Sequence, residues 1–174
     1  MAVRHRLIKT DPSVVWDVIA DGSRYADWVV GTGASRPNRG RWPEKGASIE
    51  YEVPLGPWRL SNETIVRRCE EGRQLELEIL AGPLGTARFS IELREWGEHC
   101  LVIADEHPLQ GAGGALHNFG AEAVIQLRHR TMLARLARCC EEQGEKEAEQ
   151  AEQAEQGHEP AARGLGVQES PGHA

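Results

Sequence analysis

Three residues in the second half of the chain carry side chains suited to acid–base chemistry. Asp105 and His107 stand two apart, and in an extended segment that spacing puts a carboxylate and an imidazole on one face. Such a pair can hold and relay a proton, although ordinary strand ends in water use the same arrangement. His129 lies between Ile125 and Met132 in a run of helix formers. An imidazole there either faces the interior as a hydrogen-bonding or proton-transfer group, or caps a backbone carbonyl at the helix edge. These three are the candidate catalytic residues, and their types do not single out one reaction. Metal chemistry is not expected, because seven His and four Cys show no zinc-type spacing. No cofactor is expected either, since no GxGxxG follows a strand and there is no GxxxxGK[ST] phosphate loop.

The elements that must position these groups are legible from periodicity. Gly114 to Glu142 has few breakers and reads as one long helix. Leu116, Phe119, Ala123, Leu127 and Ala134 form one apolar track, and Ile125, Met132, Leu133, Leu136 and Cys140 form a second on nearly the opposite side. A polar wedge of His117, Arg128, Thr131, Arg135 and Arg138 remains. A helix apolar over most of its circumference needs a sheet curled around it, or a partner. Upstream, Val3 to Ile8 alternates as a strand, and Thr10-Asp11-Pro12 starts a helix that stops at Asp21-Gly22. Ser23 opens a second short helix through Trp28, and 31–46 reads as loop. Alternating runs then follow from Ala47, Trp58, Leu75, Ala87 and Leu101, separated by tight turns, the pattern of an antiparallel meander with one dry face. The fold class is α+β: strand, two helices, five or six strands, and a long helix.

The dry parity of each strand supplies Ile49, Tyr51, Trp58, Leu60, Leu77, Phe89, Ile91 and Ile103. Asn62, Thr64, Asp105 and His107 are expected on that parity too. Buried polar groups need partners, so these meet each other, water or a ligand, or sit at strand ends in solvent. Gly111-Ala-Gly-Gly114 reads as a flexible entrance loop.

Charge excludes one class of partner. From Glu141 onward nine Glu face only Lys146 and Arg163, so the net −7 belongs to this stretch, while the first 140 residues carry 18 basic and 18 acidic side chains. No basic excess exists to neutralise phosphates, and nucleic acid is not an expected partner. The triplet AEQ occurs three times in 148–156, and the acidic tail 143–174 is expected to be disordered or a frayed extension of the helix. No apolar run is long enough to cross a bilayer. The opening MAVRHRLIKTDP lacks the apolar stretch of a signal peptide, so a cytoplasmic protein with free thiols is expected.

The succession of short motifs resembles a known family. Asp11-Pro12-Ser13-Val14-Val15-Trp16 opens the first helix, Tyr25-x-x-Trp28 closes the second, and Trp42-Pro43-x-x-Gly46-Ala47 precedes a strand. Leu60-Ser61-Asn62-Glu63-Thr64 and Arg128-His129-Arg130-Thr131-Met132-Leu133-x-x-Leu136 follow. Over roughly residues 2 to 142 this resembles the START-like or SRPBCC superfamily, closest to its polyketide cyclase/dehydrase-like branch. The resemblance implies a helix-grip (Bet v 1/START-like) fold, in which a curved antiparallel sheet wraps a long C-terminal helix and two short helices follow strand 1. It also implies a cavity for a small lipid- or polyketide-like molecule in a monomer or homodimer. The candidate ligand-binding residues are Tyr51, Trp58, Leu60, Asn62, Leu77, Phe89, Ile91, Ile103, His129 and Leu133. Members include carriers and aromatase/cyclase-type enzymes, so both activities stay open, as does an interaction module without ligand.

Overall fold

The computed structural model of the chain describes residues 2–55, 57–80, 85–110 and 119–157. Seven strands, β1 (Ala2–Ile8), β2 (Ser35–Arg39), β3 (Ser48–Leu55), β4 (Trp58–Glu70), β5 (Gln74–Leu80), β6 (Thr86–Trp96) and β7 (His99–Gln110), form one antiparallel sheet in the order β1-β7-β6-β5-β4-β3-β2 among the described residues. Strand β1 (Ala2–Ile8) pairs with β7 (His99–Gln110), and the meander β3 (Ser48–Leu55), β4 (Trp58–Glu70), β5 (Gln74–Leu80), β6 (Thr86–Trp96), β7 supplies most of the rest. Between β1 and the meander lie α1 (Pro12–Ala20), a single 3-10 turn at Gly22–Arg24 and α2 (Tyr25–Trp28). The long helix α3 (Phe119–Gly157) follows β7.

Local chemistry explains these boundaries. The Asp11 carboxylate accepts from the Ser13 amide at 2.8 Å, with Pro12 in the first turn, so α1 starts there. Asp21 repeats the device on the Ser23 amide at 2.9 Å. Helix α1 buries Val14, Val15, Trp16, Val18 and Ile19, enough apolar surface to hold a nine-residue helix that is too short to persist alone.

Two expectations change. The stretch 31–46, read as loop, contains β2 (Ser35–Arg39), which pairs with β3. It lies at the sheet edge, is mostly exposed and includes Pro37, so it shows no alternation and can do without one donor. Helix α3 also runs on to Gly157 instead of ending near Glu142. No breaker interrupts the AEQ triplets, and Gln143 donates to Glu147 one turn on at 2.8 Å. Of the two forms expected for the tail, 143–157 takes the helical extension; 158–174 lies outside the described residues, as does the loop 111–114. Gly144 has a packing role, because a Cβ there would stand 2.6 Å from Thr10 Oγ1. The helix passes the start of α1 at that point, with Glu141 accepting from the Lys9 amide at 3.2 Å.

The concave face of the sheet, the inner faces of α1 and α2, and one side of α3 share a single core. On α3 the buried side chains are His129, Met132, Leu133, Leu136, Ala137 and Cys140, so the second apolar track is the one that packs inward. The side chains of Phe119, Ala123, Ile125 and Leu127, and all of Leu116 and His117, lie outside the described residues. The convex face carries exposed charge pairs such as Arg36–Glu50 at 3.0 Å and Arg59–Glu52 at 2.8 Å. Water and salt screen pairs in such exposed positions, so they contribute little to holding the sheet together.

Candidate functional site

The β6–β7 hairpin turns at Gly97-Glu98, and its register sets Leu93 opposite Val102, Ile91 opposite Ala104 and Phe89 opposite Glu106. Directly opposed residues share a face. Because Phe89, Ile91 and Leu93 are buried, Val102, Ala104 and Glu106 point into the concave side with them. A carboxylate is thereby placed among apolar side chains, 8% exposed.

Across the core, α3 delivers its partner. His129 is wholly buried and its Nε2 is hydrogen-bonded to Glu106 Oε2. Arg128, one residue earlier and half-buried, places Nη1 3.8 Å from Glu106 Oε1. Burial pushes the Glu106 carboxyl up, but the His129 hydrogen bond and the Arg128 charge outweigh it and leave the group below the ordinary carboxylate value. Glu106 is therefore an anion, an acceptor only. The Nε2 that bonds it must carry the proton. Phe89 forms one wall, its ring centroid 5.9 Å from that of the imidazole at an interplanar angle of 59°.

A second polar group lies on the sheet and on α2. Tyr25 and Thr64 hydroxyls are 3.2 Å apart, and Thr64 donates to the Tyr51 hydroxyl at 3.3 Å. Burial pushes both phenols up, so both stay neutral. The Arg128 charge acts on both tyrosines and the Glu106 charge on Tyr51, so the two groups share one interior field. Tyr25 is also packed against Trp28 at 5.3 Å and Tyr51 at 5.5 Å between ring centroids. Among the described residues, His129 Nδ1, Asn62 Oδ1 and Trp28 Nε1 are buried polar atoms without a hydrogen-bond partner. Orphans of this kind are uncommon in cores and call for a ligand, water or a functional reason.

The sequence of residues 2–141 matches the model of a protein family described as polyketide cyclase / dehydrase and lipid transport. The chain belongs to that family. A search of curated proteins finds no match. Among solved structures, protein CV1439 from Chromobacterium violaceum is 15% identical with a TM-score of 0.61, over 80% of this chain and 96% of that one. Ara h 8.0201 is 8% identical with a TM-score of 0.65, over 80% and 95%. The di-domain ARO/CYC StfQ from the steffimycin biosynthetic pathway is 10% identical with a TM-score of 0.62; the match covers 83% of this chain and 46% of that one. At such identities the likeness is one of fold, and the fold is the helix-grip arrangement expected of a hydrophobic-ligand binder.

Within this cyclase and lipid-transport fold the residues expected at the site divide into two sets. Tyr51, Asn62, Leu77, Phe89, Ile91, His129 and Leu133 are buried on the concave side, as is Thr64. Trp58 has the inward parity but stands at the start of β4, 70% exposed, and Leu60 next to it is half-buried. The assignment of β7 is reversed. Ile103, Asp105 and His107 lie on the opposite face from Glu106, where Asp105 Oδ2 and His107 Nε2 pair at 2.7 Å near the surface. The β7 run is apolar on both parities, so alternation alone does not decide; counting back from the Gly97-Glu98 turn does, and it marks Glu106, which the sequence argument passed over. The described residues contain no cluster of three or more His, Cys, Asp or Glu able to hold a metal. None of their helices is long and apolar enough to cross a membrane.

Proposed function

We propose that residues 2–142 bind a small hydrophobic, lipid- or polyketide-like molecule between the concave sheet face and α3, with the Glu106–His129–Arg128 group as its polar anchor. One observation carries this: a carboxylate–imidazole pair buried in the apolar core, with the Phe89 ring against the imidazole and Arg128 beside the carboxylate. Burying a charge pair gives little net stability compared with apolar side chains of similar size, and an apolar setting with a few convergent polar groups is the usual make-up of a ligand site. The family description supports the hydrophobic class of ligand. On this reading the protein acts in the cytoplasm as a monomer or homodimer.

A second reading has support from the same geometry. A carboxylate holding an imidazole is an acid–base pair of the kind a cyclase-type enzyme could use for proton transfer, and the Tyr51 phenol lies in its electrostatic field. Native mass spectrometry of the purified protein tests the first reading by the presence of a co-purified hydrophobic molecule. A protein that carries nothing and binds nothing across a panel of lipids and polycyclic aromatics would refute it. Conversion of a bound polyketide mimic to a cyclised isomer, or to that isomer less one water, separated by chromatography and lost in the Glu106→Gln protein, would establish the second.

A further inference from the structure

We infer that two copies of this chain pair antiparallel along the outer face of α3, the cationic half of one helix lying against the acidic half of the other. The pairing needs no bound ligand.

The charges of α3 are sorted along its length. From 123 to 140 it carries Arg128, Arg130, Arg135 and Arg138 and no acidic residue, whereas from 141 to 157 seven Glu stand against Lys146 alone. They are sorted around the helix as well. Arg138, Glu142, Glu145, Glu149 and Glu152 recur at steps of three and four, so they share one face, and all five are exposed. Arg130 and Arg135 flank that face, away from the buried His129, Met132, Leu133 and Leu136. Among the described residues Arg130, Arg135 and Arg138 form no ion pair, and every residue from 145 to 155 is exposed. The acidic half opposes its own helicity, because Glu145 and Glu149 stand four apart and Glu149, Glu152 and Glu155 three apart. An unbroken helix cannot fold back, so its two halves cannot neutralise each other within one molecule. Between two molecules they can.

A two-fold axis between Glu141 and Glu142 fixes the register. It sets Arg138 opposite Glu145 of the second copy, Arg135 one residue from Glu149 and Arg130 one residue from Glu152, and the symmetry repeats each pair. One residue is about 1.5 Å of rise, within the reach of an arginine side chain. A parallel alignment would instead set Arg on Arg and Glu on Glu. The contact is polar and open to salt, so the association is reversible and salt-sensitive.

Sedimentation velocity of the full chain tests the pairing. The wild type is expected to dimerise at about 0.05 M salt and to associate at least about tenfold more weakly at about 0.5 M. Two charge-reversed proteins, one with Arg135→Glu and Arg138→Glu, the other with Glu145→Arg and Glu149→Arg, each set like charges across the axis. Each alone should self-associate at least about tenfold more weakly than wild type, with circular dichroism showing that both remain folded. Mixed one to one, the two restore every opposite-charge pair and should form a heterodimer as tightly as wild type. A wild type that stays monomeric up to about 0.5 mM at about 0.05 M salt overturns the pairing; if that monomer binds polylysine, the occupant of the acidic half is a basic partner instead. A dimer indifferent to both reversals uses another surface and also overturns it, as does a mixture of the two variants that fails to associate.

Discussion

Two carboxylate–imidazole pairs share strand β7 and differ in almost everything but chemistry. Asp105 and His107 pair across the convex face with side chains 27% and 42% exposed. Glu106, the residue between them, turns the other way and meets His129 in the core, where the two side chains are 9% and 0% exposed. Water screens the first pair, so its members gain little from each other. Burial strips water from the second and leaves each partner dependent on the other. The difference teaches that the spacing of acid and base along the chain says little about function. The decisive quantity is the face on which they fall.

Breaking each pair should therefore give unequal results. The largest effect is expected for His129→Ala, which leaves a buried carboxylate with only Arg128 nearby and should cost about 3–5 kcal/mol of unfolding free energy. His107→Ala should change it by at most about 1 kcal/mol. Urea unfolding of the two variants measures the contrast, and similar losses would show that the two faces do not differ. Acid sharpens the same point. The Glu106 carboxyl is depressed in the folded protein below its ordinary value of 4.5. Its contribution is therefore fully present above that value and is lost as pH falls through the lower folded-state value. The stability gap between wild type and Glu106→Gln should close as pH falls from about 4.5 to the lower folded-state value, as urea unfolding at a series of pH values would show. A smaller loss, about 1 kcal/mol, is expected for Tyr51→Phe, which removes the acceptor of the Thr64 hydroxyl. The smallest perturbation probes access alone. Burial pushes the Cys100 thiol up to about 11 and that of Cys140 up to about 12, and both are fully buried while Cys69 and Cys139 are partly open. Iodoacetamide should label Cys69 and Cys139 well before the other two, as peptide mapping would show.

Much of the fold is legible in the sequence because its signals are local. The Asp11-Pro12 cap, the alternation of Ile49–Tyr51 and Leu75–Leu77–Ile79, and the turn at Gly97-Glu98 each declare themselves within a few residues. Strand β2 does not, because its pairing to β3 is made at an exposed edge by Ser, Arg, Pro and Asn. The continuation of α3 past Glu142 follows from helix propensity, but the same Glu, Gln and Ala composition also suits a disordered chain, so sequence alone leaves both open. The site was half legible. His129 is marked by its place on the inward track, but its partner lies 23 residues away on a strand whose two parities look equally apolar. Only pairing with Phe89 decides that Glu106 is the inward one, and pairing is a property of two strands that neither displays alone.

The uneven placement of the tryptophans has an optical consequence. Trp58 and Trp96 are 70% and 63% exposed, whereas Trp16 and Trp28 are 8% and 0% exposed. Acrylamide in the buffer will silence the outer pair first and leave emission from the enclosed indoles. Trp28 is one ring removed from Tyr51 through Tyr25, so the residual spectrum reports on the interior without any added dye.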